Sequence, residues 1–353
     1  MAEYLFNDAA FWLSKLPESA LNTHYTTNTD YLKVFNGNPF WILPQMEKRN
    51  DENRPGNGHE FITYVCNHYW SHPAINLEDD INVEHAGRLL LRALGGTVTD
   101  TLLETGVTKH SNAMLPLSSG RLLPSSDFIS FLGGSSFLLA GCVVDRFRMF
   151  QNGPDPVRSQ CDLLGTGKHI RPHGVSSLPA TASILQCLTG NNVAIQWTDG
   201  TGTRNWSTLG RVKSWFCEVQ NNTKLNDRRP GDPVTSNGTD GAAYYVRYMN
   251  HGVRRVTAQL VVTSDNDVLE WLQMTKNEDI TDVTFSAKGP TLIGATQYPA
   301  LTMIIPHARI TAVSPGSDDD TQAHTIDIVG AYDSVTGGAL KAECVNTTAS
   351  NFK

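Results

Sequence analysis

The sequence has few charged residues, few cysteines and no long apolar run, and each shortage excludes a class of protein. Charged residues make up 18% of the 353 residues, and the formal net charge is −7. A dedicated DNA-binding protein would be basic instead. No apolar stretch reaches the roughly 18 residues that a membrane helix requires, and the N-terminus lacks the basic start and apolar core of a secretory signal. We therefore expect no membrane segment.

The six cysteines are too few and too dispersed to build a disulfide scaffold, and no CxxC pair marks a zinc site. We predict reduced thiols that pack within strands of a protein made in the cytosol. The low charge content is balanced by Thr, Ser, Asn and Gly, which are residues of strands and turns, whereas helical proteins carry more Glu, Lys and Ala. The composition therefore favours a β protein.

Alternation of apolar and polar residues with period two predicts that most of the chain forms β-strands. The clearest alternating segments are residues 143–150, 158–164, 255–262, 324–329 and 340–345. In the second of these, Ser159, Cys161 and Leu163 form the inward set. Strands with one packed face and one wet face are typical of antiparallel sheets. The predicted fold class is mainly β (α+β).

Two segments show helical periodicity instead. Residues 78–94 begin with the acidic run 78–80 and carry Arg88 and Arg92 near their end, a polarity that complements the helix macrodipole. The apolar stripe of this predicted helix consists of Val83, Ala86, Leu90 and Leu94. Residues 265–276 are the second predicted helix. Both are expected to interrupt a chain of strands.

The two halves of the sequence repeat an order of motifs. Gln45 and Gln220 are separated by 175 positions, and so are Arg54 and Arg229, each of which opens an Arg-Pro-Gly triplet. A strand, a helix and further strands follow in each half. This shared order predicts a tandem duplication of one unit with about seven strands around one helix. The predicted units are residues 1–175 and 183–353, joined within residues 170–182.

No catalytic or metal-binding motif has the required spacing. Residues 163–168 (LLGTGK) lack the first glycine and the final hydroxyl residue of a phosphate loop. His68 and His72 have no glutamate between them, and the aspartates at 318–320 lack the ligand spacing of a calcium loop. There is no GxSxG elbow and no arguable Ser-His-Asp grouping. We therefore predict no catalytic residue, no cofactor and no metal.

Several stretches together resemble the major tail tube protein of long-tailed bacteriophages, in its duplicated form. They are residues 141–167, residues 209–222 leading into Arg228-Arg229-Pro230-Gly231, and residues 280–347. The resemblance implies two tandem tail-tube-type β-sandwich units, each with one flanking helix and a long hairpin loop. It further implies that three chains form a pseudo-hexameric ring and that rings stack into a tube.

The resemblance also implies a role and partners. The tube would surround the tape measure protein, conduct genomic dsDNA without specific binding, and end at tail tip and tail terminator proteins. Its location would be the virion tail, after assembly in the host cytoplasm, with no membrane and no enzymatic activity. About four strands per unit would leave sheet edges exposed, and six units would close roughly 24 strands into a barrel on the order of 50 Å across. A net negative chain would not attract phosphates.

Two long polar segments, residues 46–58 and 221–252, are the predicted contacts between stacked rings. Loops of this length in compact domains are usually functional or disordered. In the family the equivalent loop reaches the adjacent ring, so arginines here are expected to meet carboxylates, and tyrosines to supply amphipathic contact area. The ring-stacking candidates are Arg54, Pro55, Gly56, Arg228, Arg229, Pro230, Gly231, Asp232, Tyr244 and Tyr245.

Two other functions are compatible with a β-rich chain. A distal tail or hub ring protein of the tail tip shares the tube domain but usually carries an added domain, which is not evident here. A carbohydrate-binding protein or hydrolase would need paired acids at strand ends and exposed aromatic rings. Its candidate rings are Trp197, Trp206, Trp215 and Trp271. Trp215 and Trp271 lie in core patterns, which disfavours this alternative.

Overall fold

The computed structural model describes residues 10–21, 23–36, 45–46, 70–71, 75–114, 123–132, 135–166, 169–170, 187–188, 192–199, 202–205, 212–224, 250–263, 280–318, 321–332, 338–349 and 352. The strands of the first half are β1 (Ala10–Ser14), β2 (Tyr31–Asn36), β3 (Gln45–Met46), β4 (Trp70–Ser71), β5 (Ile75–Asp80), β6 (Thr99–Glu104), β7 (Val107–Ala113), β8 (Ser125–Leu132), β9 (Ser135–Asn152), β10 (Arg158–Gly165) and β11 (His169–Ile170). Those of the second half are β12 (Val193–Asp199), β13 (Gly202–Asn205), β14 (Val212–Gln220), β15 (Thr223–Lys224), β16 (Asn250–His251), β17 (Arg255–Thr263), β18 (Ile280–Lys288), β19 (Ala300–Asp318), β20 (Thr321–Gly330) and β21 (Lys341–Asn346). The α-helix is α1 (Val83–Leu94), and a 3-10 turn occupies Asn28–Asp30.

The mainly-β prediction is confirmed. The described strand pairs run antiparallel, and most of the strands belong to one large sheet. Burial alternates along β10, β17 and β21 as the period-two pattern predicts. Four of the cysteines, Cys142, Cys161, Cys217 and Cys344, are buried in strands as free thiols, and burial raises the pKa of each. They are packing residues, as predicted.

The first helix begins later than the sequence predicted. Residues 78–80 are the end of β5, which pairs with β10 in register from Ile75 to Asp80. That pairing buries Leu77 and places alternate acidic side chains on the wet face, so a strand forms where acidity alone suggested a helix start. The helix is instead capped by Asn82, whose Oδ1 accepts a hydrogen bond from the Glu84 amide at 3.0 Å. The second predicted helix, residues 265–276, lies outside the described residues.

The two arginines of α1 are buried. Arg92 lies in the last turn of the helix, where its charge complements the macrodipole as predicted. Arg92 donates to Ser126 Oγ at 2.8 Å and to the Ser14 carbonyl at 2.7 Å. Arg88 lies 4.5 Å from the ring centroid of Phe352. Burial lowers the pKa of Arg92 to about 9 and of Arg88 to about 10, which leaves both charged at neutral pH. These side chains tie α1 to the strands beneath it.

His85 makes the packing of α1 sensitive to pH. The side chain is buried, and burial lowers its pKa from 6.5 to about 4. Between those values the unfolded chain binds the extra proton, so the free energy of unfolding should fall by about 3 kcal/mol as pH drops from about 6.5 to about 4. Urea unfolding at a series of pH values measures this loss. His85→Gln should show a shallower pH dependence over the same window, and an unchanged slope would contradict the assignment.

The described strands follow the same pairing order in both halves. The order is β2–β1–β8–β9–β10–β5 in the first half and β13–β12–β18–β19–β20–β17 in the second. Register shifts recur at matching places: between Ser126 and Phe128 of β8 and between Thr281 and Val283 of β18. A second pair of register shifts also matches. One lies between residues 162 and 163 of β10, and the other between residues 310 and 312 of β19, which are opposite residues 328 and 327 of β20. The tandem duplication itself stays a prediction.

One sheet crosses from the first half of the sequence into the second. β14 pairs with β17 on one edge and with β9 on the other. Consecutive pairings therefore give a seven-stranded sheet with the order β5–β10–β9–β14–β17–β20–β19. The halves also meet where β7 pairs with β21, beside α1. Of the predicted joint between the units, residues 170–182, the structure describes only Ile170.

Candidate functional site

The described residues offer little that resembles a small-molecule site. Nowhere in the described ranges do three or more His, Cys, Asp or Glu side chains group so that they could hold a metal ion. No helix in the described part of the chain is long and apolar enough to span a bilayer. Trp197 and Trp215 are 2% and 4% exposed, so neither presents its ring to a sugar. His68, His72, Trp206 and Trp271 lie outside the described residues.

An extended surface of the described chain is the solvent side of the seven-stranded sheet, named here the exposed sheet face. Because directly opposite residues of antiparallel strands share a face, the register gives three rows of side chains. The first row is Asp80, Arg158, Phe150, Phe216, Gln259 and Asp327; the second is Glu78, Gln160, Arg148, Glu218, Thr257 and Val329; the third is Asn76, Asp162, Arg146, Gln220 and Arg255. The other side of these strands faces the core, with Phe147, Cys161, Val219, Ala258 and Ile326 buried.

Arg146 lies between two carboxylates of the exposed sheet face. Its Nε is 2.7 Å from Asp162 Oδ2, and its Nη1 is 3.8 Å from Glu218 Oε2. Asp162 also accepts a hydrogen bond from Asn76 Nδ2 at 2.9 Å. Partial burial raises the pKa of Glu218, and Arg146 and Arg148 act in the opposite direction. This arginine is therefore shared between β10 and β14.

The other two arginines near the middle of the face are also engaged. Arg158 lies 2.7 Å from Glu78 and 3.5 Å from Asp80. The guanidinium carbon of Arg148 lies 4.0 Å from the ring centroid of Phe216, within the range of a cation–π contact. Each pair is partly exposed and adds little stability. A phosphate that approaches Arg146, Arg148 or Arg158 would therefore have to displace an existing partner of that arginine.

A polar cluster locks the second half of the sequence onto the C-terminal end of α1. The Arg254 guanidinium donates to the carbonyl oxygens of Ala93 and Leu94, both at 2.8 Å, and to Asn221 Oδ1 at 2.7 Å. Asn221 is fully buried and donates through Nδ2 to the carbonyl of Ala93 at 3.0 Å and to that of Val144 at 2.8 Å. Burial lowers the pKa of Arg254 to about 10. The cluster satisfies helix carbonyls that would otherwise lack donors.

The ring-stacking candidates predicted from sequence lie outside the described residues: Arg54, Pro55, Gly56, Arg228, Arg229, Pro230, Gly231, Asp232, Tyr244 and Tyr245. The described residues at the ends of their segments are informative. β3 pairs with β4, and β15 pairs with β16, each as a separate two-stranded ribbon. The described residues on either side of segment 47–69 are therefore adjacent in space, and so are those on either side of segment 225–249.

At both ends of the predicted loop, residues 221–252, described residues are buried or paired. Thr223 and Lys224 pair with His251 and Asn250, and Asn221 belongs to the buried cluster. Sequence reasoning missed Asn221 and Arg254 as joining residues. The paired asparagines after β14 were the available signal, since Asn222 adopts a left-handed φ of 51°, which asparagine tolerates. Nothing local indicates that Arg254 reaches a helix about 160 positions away.

No protein-family model matches this chain, and a comparison with curated proteins gave no significant match. The chain's own residues and geometry therefore carry the functional inference.

Proposed function

We propose that this chain is a structural virion protein, three copies of which close into a ring, with rings stacking into the tail tube of a long-tailed bacteriophage. The carrying observation is the repeated strand order of the two halves, joined through β9 and β14 into one continuous sheet. Such a sheet suits closure by further copies, because one edge of β5 and the edge of β19 beyond Arg309 have no partner among the described strands. The protein would act through assembly and not through catalysis.

The size of the sheet supports a ring of three chains. The second half contributes β14, β17, β20 and β19 to the seven-stranded sheet, and the described part of the first half contributes β5, β10 and β9. Four strands per unit and two units per chain give roughly 24 strands in a closed ring. At ordinary spacing and tilt, that barrel is on the order of 50 Å across, which leaves room for duplex DNA.

The exposed sheet face suits the wall of a channel for DNA. Its central arginines are held by carboxylates or by an aromatic ring, and the chain carries a net charge of −7. A wall whose central arginines already have partners would bind phosphates weakly and let genomic dsDNA slide, because phosphate contacts by Lys and Arg supply most non-specific affinity. The tape measure protein would occupy the channel before the genome. Tail tip and terminator proteins would close the ends, in a virion tail assembled in the host cytoplasm.

Electron cryomicroscopy of the purified chain tests this function. We expect rings of three chains with pseudo-sixfold shape, and stacks of such rings, with β5, β10, β9, β14, β17, β20 and β19 lining the channel. Six chains per ring would contradict the duplicated unit. A lone compact particle at every concentration would overturn the proposal and favour the carbohydrate-binding alternative.

Neutralising the partners of Arg146 should make the channel wall bind DNA. In the double variant Asp162→Asn, Glu218→Gln, Arg146 loses both carboxylates and becomes available to phosphates. We expect affinity of assembled tubes for short dsDNA to rise roughly tenfold at low salt and to fall as salt increases. Fluorescence anisotropy measures it. The matched control, Glu84→Gln with Asp282→Asn, changes the net charge equally but lies outside the exposed sheet face, and equal binding by both variants would contradict this role.

A further inference from the structure

The long strand β19 has one edge that is covered over only part of its length. From Ala300 to Arg309 that edge pairs with β18, while β21 and β20 cover the opposite edge through to Asp318. Beyond Arg309, no strand among the described residues pairs with the edge that β18 has left. The exposed side chains there include Ser314 and Pro315. The sheet therefore stops at this edge within the described chain.

The corresponding strand of the first half shows what such an edge accepts. On β9, β8 covers one edge as far as Val143, and β14 continues along the same edge from Arg146 to Asn152, opposite β10. The matching register shifts make Cys142 of β9 and Ala308 of β19 equivalent positions in the two halves. Residues 146–152 of β9 therefore correspond to residues 312–318 of β19. The occupied edge and the open edge are equivalent places in the two halves.

The position of Pro315 indicates which backbone groups of β19 point outward at this edge. Pro315 is opposite His324 of β20 and has no amide hydrogen, so its nitrogen faces away from the ladder, the position that proline tolerates in a strand. Backbone groups alternate in direction along an antiparallel strand, so those of Val313 and Ser317 also point outward. Proline and Gly316 make the edge a poor template for indiscriminate pairing. The edge offers two donors and three acceptors to a strand of matching shape.

We infer that the edge of β19 from Ala312 to Asp318 pairs with a second copy of this chain and forms the seam between chains. The inference rests on the proposed ring and identifies which strand makes the contact. The complementary edge lies at the first-half end of the same sheet, on the side of β5 away from β10, where no described strand pairs with β5. Its counterpart β17 carries β14 on the corresponding edge.

This seam between chains is weaker than the junction inside the chain. The β9–β14 junction is reinforced by Asp145, which accepts the Thr223 amide at 2.5 Å, and by the Asn221–Arg254 cluster on α1. The register shifts place Thr311 at the β19 position equivalent to Asp145, so this carboxylate is missing there. Rings should consequently open and close at the β19 seams while each chain stays intact.

A pair of substitutions at Val313 tests the seam. Val313→Pro removes an outward amide and adds a ring on the open edge, whereas Val313→Ala trims the side chain and keeps the amide. Sedimentation velocity gives the protein concentration at which half of the chains are assembled. We expect this concentration to be at least roughly tenfold higher for the proline variant, because it loses a hydrogen bond and clashes with the incoming strand. The alanine variant should stay within about threefold of the parent. Circular dichroism checks that both variants remain folded.

Hydrogen exchange on the unmodified chain gives an independent readout. Assembly should slow exchange at the Val313 and Ser317 amides by roughly a hundredfold and leave Ser314 and Gly316, which face β20, little changed. Rings that form with the Val313 and Ser317 amides unprotected, or equal assembly of the two variants, would overturn the seam and leave the ring proposal standing. Failure of the parent chain to assemble at all would overturn the proposed function, and the seam with it.

Discussion

Replacing residues 225–249 with a short glycine-containing turn should leave the chain folded and abolish stacking of rings into tubes. The replaced segment begins after Lys224 and ends before Asn250, which pair as the last residues of the β15–β16 ribbon. The ribbon and the buried Asn221 are retained, so every described core residue remains in the chain. Closure of single rings should also persist, because the proposed seam lies on β19. Electron microscopy of negatively stained protein would then show rings in place of tubes.

A matched variant distinguishes the effect of the segment's positive charge on stacking from the effect of its length. Arg228→Ala with Arg229→Ala keeps the full length and removes two guanidinium groups that are proposed to meet carboxylates of the next ring. We expect tubes that are shorter than normal and more sensitive to salt, since ion pairs at a rim are screened. Tubes of normal length after replacement of the whole segment would show that stacking depends on another surface.

Arg254→Ala should lower the free energy of unfolding by about 3 kcal/mol. The truncation leaves the carbonyls of Ala93 and Leu94 and the side chain of Asn221 without a charged donor in a mostly buried place, and unsatisfied buried polar groups are costly. Urea denaturation followed by circular dichroism measures the loss. Exchange at amides near the end of α1 should also accelerate, because the halves are held together there.

The neighbouring Arg255 is the natural control for this substitution. Its side chain is exposed at the start of β17, so Arg255→Ala should change stability by no more than about 0.5 kcal/mol. Both variants remove the same charge from the chain. Equal losses for the two would contradict the role assigned to the cluster of Arg254 and Asn221.

Local sequence pattern predicted the strands well where one face of a strand is buried. Cys161 and Leu163 of β10, and Val256 and Leu260 of β17, are buried as their alternation indicated. The same reasoning failed at residues 78–80, because an acidic run is compatible both with a helix start and with the wet edge of a strand. Only pairing with Arg158 and its neighbours on β10 decides between them.

The candidate surface was predictable in part. The repeated order of motifs led to the idea of two units, and the polar segments were assigned ends close to those that β15 and β16 define. The buried positions of Arg88 and Arg92 and the contacts of Arg254 were not predictable. Each side chain bonds to or packs on residues far away in the chain, and a charged residue in a local pattern is ordinarily read as exposed.

The sequence by itself determined the β class, the burial pattern of individual strands and the absence of recognisable catalytic motifs, because these depend on period, composition and short-range spacing. The tertiary structure decided which strands are neighbours: β14 lies against β9, while the edge of β19 beyond Arg309 has no neighbour among the described strands. Strand pairing joins residues that are distant in sequence through backbone groups that all residues share. The amino-acid pattern therefore specifies a strand more clearly than its partner, and the partners are what define the proposed seam.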